Sequence, residues 1–211
     1  MELFRTIGHQ PYVTDDLQTS DDAMWEASSR GDGRAFSEIY ERYASTIYNY
    51  LFRRLADWSE AEDLTAVVFL EAFRRRRDVV VDEGKVLPWL YGIATNVLRN
   101  RRRAQFRHRR LLARMEGRPR RAEPDAAERA VAAAQMRSIL QHVAALPPQQ
   151  QDVVALCVWS DLSYAEAAVA LGVPVGTIRS RLARARAALA ELDSAPRHRE
   201  VEMELKRTAE R

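Results

Sequence analysis

Cysteine occurs once, at Cys157, so no disulfide can form within the chain and a reducing compartment is expected. No apolar run approaches the roughly 20 residues of a membrane span. The N-terminus has neither the basic nor the apolar block of a signal peptide. These absences predict a cytoplasmic protein that makes no membrane contact. No stretch alternates apolar and polar residues with period two, which argues against strands and predicts an all-α fold. No internal repeat is visible. The histidines, His9, His108, His142 and His198, are far apart, and none stands at metal-ligand spacing from Cys157. A phosphate-binding GxxxxGK[ST] loop is missing, and Gly31-Asp32-Gly33 is short enough to be only a turn. No nucleophile motif supports a catalytic triad. The chain is therefore expected to hold no catalytic residue, metal or cofactor. Cys157 itself lies in an apolar helical run and is expected in the core.

What is present is segregated charge. The formal net charge of +3 hides eleven arginines between Arg99 and Arg121, set against a single acid, Glu116. Like charges at that density repel one another unless a counter-charge is supplied, which points to a polyanionic partner.

Residues 1–20 lack periodicity and form a tail. A short helix is predicted over Asp21–Ser29, ended by Gly31-Asp32-Gly33. A longer one follows with Phe36, Ile39, Tyr40, Tyr43, Ile47, Tyr50, Leu51 and Leu55 on its core stripe. Ser59 and Glu62 have capping-box spacing and predict a helix to about Arg77, with Leu64, Val67, Val68 and Phe73 on its apolar side. Val79–Val86, with Gly84 inside, reads as a loop. From Leu87-Pro88-Trp89 a long helix runs to about Met115, its core stripe being Leu90, Ile93, Ala94, Val97 and Leu98. Gly117–Pro124 reads as a linker. Helical pattern resumes near Asp125 with Val131, Met136, Leu140 and Val143. Leu146-Pro147-Pro148 breaks it, and Gln149–Trp159 forms the next helix.

Ser163–Leu189 has the pattern of a helix-turn-helix. Ser163 and Glu166 form a capping-box signature, Gly172 can take positive φ in the turn, and Pro174 stands just ahead of a second helix from about Val175. On that helix Ile178, Leu182, Ala185 and Leu189 share one stripe. Arg179 and Arg186 flank one side, Arg181 and Arg184 the other, and Ser180 with Ala183 points away. A buried stripe opposite arginines and small residues suits a helix that enters the major groove. An αα-hairpin with a solvated basic face has the same spacing.

Two sets of residues resemble a known family. In the N-terminal half these are Asp63-Leu64, Phe69-Leu70-Glu71-Ala72-Phe73-Arg74 and Trp89-Leu90-Tyr91-Gly92-Ile93-Ala94-Thr95-Asn96. In the C-terminal half they are Leu146-Pro147, Leu162 to Ala168 and Val175 to Ala185. In this order the chain resembles bacterial RNA polymerase sigma factors of the extracytoplasmic-function type, over about Ala23 to Leu192. The resemblance implies two helical domains joined by a flexible linker. Region 2 would span 21–115, the linker 116–124 and region 4, with its helix-turn-helix, 125–193. The remainder, 194–211, is a charged tail. The partners implied are core RNA polymerase, through the clamp helices of its beta-prime subunit and the flap of its beta subunit, promoter DNA, and an anti-sigma factor. Arg179, Ser180, Ala183 and Arg184 would lie near minus-35 bases, with Thr177 and Arg181 nearer phosphates. Asn96 would line the pocket for a flipped minus-ten base, where an amide can both donate and accept. Val79–Val86 and the start of the next helix would surround that base. Arg99, Arg101, Arg102 and Arg103 would hold the upstream backbone. Asp63, Ala66, Val67, Glu71 and Arg74 would face the polymerase clamp.

The chain departs from the family at three points. Ala66 and Val67 stand where the family usually has Gln-Glu, so the clamp contact is either more apolar or carried by Asp63, Glu71 and Arg74. Gly92 stands where the family usually has arginine. The linker is basic, with Arg118, Arg120 and Arg121, where family linkers often carry acids. Two other readings remain at this level: a stand-alone helix-turn-helix regulator, and an RNA-binding protein using the arginine-rich helix.

Overall fold

The structure is a computed structural model that describes residues 20–81, 85–112, 140–141 and 143–191. The tails, Gly84, the 116–124 linker, Val131 and Met136 lie outside the described residues. Among the described residues every regular element is helical. These are α1 (Asp21–Ser29), α2 (Gly33–Leu55), α3 (Trp58–Arg75) and α4 (Val86–Leu112), then α5 (Pro148–Val154), continued by a π-helical turn (Ala155–Trp159), and α6 (Tyr164–Leu171). The last helix, α7, covers 175–191.

Helix starts follow capping chemistry. Ser20 and Asp32 accept from backbone N–H groups of α1 and α2. The start of α3 corrects the expected Ser59 capping box. Asp57 is the cap, its carboxylate accepting from the Glu60 N–H at 3.0 Å, so the helix begins at Trp58. α4 also begins earlier than expected, at Val86, which is buried, with Pro88 inside the first turn. The expected Gln149–Trp159 helix starts at Pro148 and changes to π geometry at Ala155.

α1 to α4 form a bundle around Ile39, Ile47, Tyr50, Leu51, Val68 and Leu90. Trp25 of α1 meets Trp89 of α4 edge to face at 4.7 Å, and Phe52 of α2 stacks on Trp58 of α3 at 4.0 Å. The α2 stripe packs as expected except at Tyr40, which is 46% exposed and lies edge to face with Phe69. On α3 the expected apolar side is rotated. Ala61, Thr65, Val68, Phe69 and Ala72 are buried, whereas Val67 and Phe73 are exposed and Leu64 is only partly covered. Small Ala61 and Ala72 let α3 approach α2, and the larger side chains turn outward.

The buried residues of the C-terminal helices, among them Val153, Leu156, Ile178 and Leu182, are continuous with this core. α6 packs on α4, and the π turn packs on α2. A close approach occurs at Gly92. A Cβ there would stand 2.6 Å from the Ala170 carbonyl oxygen, so no side chain fits. A second link between the halves is the Asp152 carboxylate, buried with two guanidinium groups. Arg54 donates at 2.8 Å, and Arg99 donates through Nε and Nη2 at 2.9 and 2.8 Å. Arg54 is buried as well and also reaches the Tyr50 hydroxyl, which shares a 2.8 Å hydrogen bond with Thr95. Burial on its own would lower the Arg54 pKa, but Tyr50 and Asp152 outweigh it and the net shift is upward, so the guanidinium stays charged. Arg53 donates to the Trp159 carbonyl.

Asp57→Ala is expected to lower folding stability by about 1 kcal/mol, and Ser59→Ala by less than about 0.5 kcal/mol, in urea unfolding. Equal losses would restore the Ser59 cap. Cys157 is half-buried, and desolvation pushes its thiol up to about 11 from 9.0. Between those values the folded state keeps a proton that the unfolded chain loses, so this group withdraws stability as pH rises from 9 to 11. Iodoacetamide alkylation of the folded protein at pH 8 should run about a hundredfold slower than in denaturant and keep rising past pH 9. Levelling near pH 9 would show an ordinary thiol.

Candidate nucleic-acid interface

The helix-turn-helix forms as its residues dictate. The Ser163 hydroxyl accepts from the Glu166 N–H at 3.2 Å while the Glu166 carboxylate accepts from the Ser163 N–H at 2.7 Å. Gly172 ends α6 in the left-handed region, φ 62°, which a side chain would strain. In the turn, the Pro174 carbonyl accepts from the Thr177 and Ile178 N–H groups. On α7, Ile178, Leu182 and Ala185 are buried, and Leu189 is partly covered. Arg179, Ser180, Ala183 and Arg184 are exposed on the opposite face, with Thr177 and Arg181 half-buried at its edges. The Ser180 hydroxyl donates to the Thr177 carbonyl at 3.1 Å, so the centre of the face carries little bulk. The Arg179 guanidinium lies 6.0 Å from the Tyr164 ring centroid, a cation–π contact that holds its stem against α6. The result is a convex helix face with small residues at its crest and guanidinium groups at its flanks.

A second basic surface runs along α4. Asn96 is exposed, one turn beyond Gly92. Of the arginines that follow, Arg102 and Arg103 are exposed and line an open groove with Phe106 and Arg107. The other two are engaged within the protein: Arg101 pairs with Glu60, and Arg99 pairs with Asp152. The four expected backbone-binding arginines are thus brought onto one helix but divide into two open and two paired. Phe106, an exposed aromatic among arginines, gives no signal in the sequence spacing, because it has no periodic partner.

A third surface lies on α3. Asp63, Ala66, Val67 and Arg74 are exposed, and Glu71 is partly covered and pairs with Arg75. Leu70, 50% exposed, and Phe73 lie among them, and Tyr40 of α2 is exposed beside Phe69. This is an apolar strip bordered by an acid and a base. Leu70, Phe73 and Tyr40 join the expected contact residues here. Their signal in the sequence is positional: 63, 67, 70 and 74 recur at helical spacing on the face opposite Ala61, Val68 and Ala72.

No described helix is long and apolar enough to cross a membrane, and no cluster of metal-ligating residues occurs among the described residues.

The family described as Sigma-70 region 2 matches residues 39–108, and Sigma-70, region 4 matches residues 136–189. The ECF RNA polymerase sigma factor SigW of Bacillus subtilis is 31% identical over 168 residues, covering 76% of this chain and 89% of SigW. The ECF RNA polymerase sigma factor BldN of Streptomyces coelicolor is 31% identical over 170 residues. That match covers 79% of this chain but 63% of BldN, less than two thirds of its length. The solved structure of CnrH in complex with the cytosolic domain of CnrY aligns with a TM-score of 0.64 at 22% identity, covering 84% of this chain and 99% of that one, a likeness of fold.

Proposed function

The chain belongs to the sigma-70 family of bacterial RNA polymerase sigma factors, in the extracytoplasmic-function group, and on that premise we propose how its three surfaces divide the work of promoter-specific initiation. Sigma factors bind core RNA polymerase and direct it to promoter DNA. The stand-alone regulator and RNA-binding readings fall away, since neither accounts for a region 2 ahead of a region 4. Polymerase chemistry belongs to the partner; this chain is non-catalytic and works in the cytoplasm. Region 2 corresponds to 21–115 and region 4 to 125–193, joined by the 116–124 linker. An anti-sigma factor is a further partner, in keeping with the solved structure of the sigma factor RpoE in complex with the anti-sigma factor NepR from Bartonella quintana.

The observation that carries the assignment of surfaces is α7, with Ile178, Leu182 and Ala185 buried and Arg179, Ser180, Ala183 and Arg184 open. Small residues at the crest let the backbone approach the groove, and flanking guanidinium groups reach guanine edges. Thr177 and Arg181, at the edges, meet phosphates. In region 2, Asn96 reads an unstacked minus-ten base, and the open Arg102 and Arg103 hold the backbone upstream, with Arg99 and Arg101 joining them only on leaving Asp152 and Glu60. Bases captured in single-stranded form offset the lost stacking, a few kcal/mol per base at most, in order-of-magnitude terms. The α3 strip of Asp63, Ala66, Val67, Glu71 and Arg74 meets the polymerase clamp. With Leu70 and Phe73 beside them, an apolar contact takes the place of the usual Gln-Glu pair.

In vitro transcription from a promoter library with core polymerase tests the whole. Arg179→Ala and Arg184→Ala should each alter minus-35 preference, at about 1–3 kcal/mol per lost base contact. Arg181→Ala should weaken binding uniformly and lower the salt slope by about one. Uniform loss in all three would leave α7 supplying charge alone. Asn96→Ala should keep polymerase affinity and lower open-complex stability by about 1–3 kcal/mol; equal open complexes would remove it from base recognition.

Leu70→Asp is expected to weaken core-polymerase binding at least tenfold with helicity retained, and Asp63→Ala or Arg74→Ala to weaken it several-fold. A burial loss of about 1.5–3 kcal/mol for an apolar side chain corresponds to a factor of ten or more. Unchanged affinity in all three would move the interface off α3.

A further inference from the structure

We propose that Phe106 is a further base-reading residue, seated in the major groove of the duplex a few base pairs upstream of the base taken by Asn96, where its ring packs on the methyl group of a thymine. This role deepens the reading of α4 given above and rests on it.

Phe106 is the most exposed aromatic among the described residues, at 68%. At about 100° per residue it stands opposite Leu90 and Val97, on the side of α4 turned away from the bundle. Leu90 is buried and Val97 packs against the core. The ring therefore adds nothing to the core of the bundle and is displayed to whatever meets this face.

Arg102, Arg103 and Arg107 line an open groove with the ring, and Arg110, one turn on, is exposed as well. By helical angle Arg103, Arg107 and Arg110 fall to one side of Phe106 and Arg102 falls to the other. An apolar protein partner covering the ring would strip these guanidinium groups of water without pairing them. DNA offers phosphates along both walls of a groove and thymine methyl groups on the floor of the major one. Ring and charge together select DNA.

Asn96 and Phe106 are ten positions apart on one helix, about 15 Å along its axis. Successive base pairs rise by about 3.4 Å, so the ring reaches at most about four pairs from the base at Asn96. It reaches them on the upstream side, because Arg102 and Arg103, assigned to the upstream backbone, lie between the two. That stretch is paired, so the ring meets a groove edge and not an unstacked base. Groove width decides which one. A helix with its side chains is about 10–12 Å across, which fits the major groove at about 12 Å and not the minor groove at about 6 Å. Thymine alone presents a methyl group in the major groove. The polar edges of the other bases would lose water against the ring and gain no hydrogen bond in return.

The test uses holoenzyme assembled from the full chain and core polymerase, on a promoter library randomised over about five base pairs just upstream of the base read by Asn96. Bound promoters should carry thymine at one of these positions. Replacing that thymine by deoxyuridine, which lacks only the methyl group, should weaken binding about fourfold, the factor expected for one buried methyl group. Phe106→Ala should bind thymine and deoxyuridine alike while keeping its minus-ten and minus-35 preferences. Phe106→Tyr, which keeps the ring, should discriminate as the unaltered chain does. Both changes are at an exposed position, and circular dichroism checks that helicity is retained. A thymine preference that survives Phe106→Ala overturns the role of the ring. So does its absence from the unaltered protein when the minus-ten and minus-35 preferences are intact. A uniform loss across all spacer sequences in Phe106→Ala also defeats it, and moves the ring to a single-stranded base or to polymerase. Loss of preference at every promoter position in the unaltered protein would sink the reading of the surfaces as well, which separates the two failures.

Discussion

Asp152 is the point on which the arrangement of the two halves depends. A carboxylate removed from water is costly unless it is paired and its remaining lone pairs are satisfied. Here two guanidinium groups from the other half of the chain supply the partners, and Tyr50 and Thr95 extend the polar network into the α2–α4 bundle. Such a network contributes more to uniqueness of packing than to net stability, because the same volume filled by apolar groups would avoid the desolvation. It specifies one arrangement of the two halves, since three donor atoms must meet one carboxylate.

The same logic separates what is buried from what is displayed. Helices α3 and α7 each use small residues on one side to come close to their neighbours: Ala61 and Ala72 on α3, Ala185 on α7. Their larger or charged side chains turn outward, as Leu70, Phe73 and Arg74 on the first and Arg179 and Arg184 on the second. Outward apolar residues on α3 suit a protein partner, and outward arginines on α7 suit a polyanion. The chemistry of each face matches the partner assigned to it, in a family that binds both.

Much of the candidate site is legible in the linear sequence. The capping box at Ser163 and the α7 stripe rest on interactions three or four residues apart, which a linear pattern records directly. The α3 cap is ambiguous at that level because Ser59 and Glu62 satisfy the same spacing rule, while Asp57 supplies the stronger acceptor two residues earlier. Val67 and Phe73 look like core residues because hydrophobicity alone does not distinguish a buried apolar residue from one kept for a partner. Arg99 and Arg101 look equivalent to Arg102 and Arg103 because adjacency along the chain says nothing about Asp152 or Glu60 arriving from elsewhere.

The helical class, the helix-turn-helix with its outward face, and membership of a family with two DNA-reading regions all follow from the order of residues, since each depends on short-range periodicity or on local motifs. Three features follow from packing instead: Gly92 lies against the Ala170 carbonyl, Arg54 and Arg99 converge on Asp152, and the apolar strip of α3 stays uncovered. Those are contacts between residues fifty or more positions apart, or the absence of such contacts. They depend on how whole helices fit together, where volume and charge must be matched in three dimensions, and no spacing along the chain encodes that match.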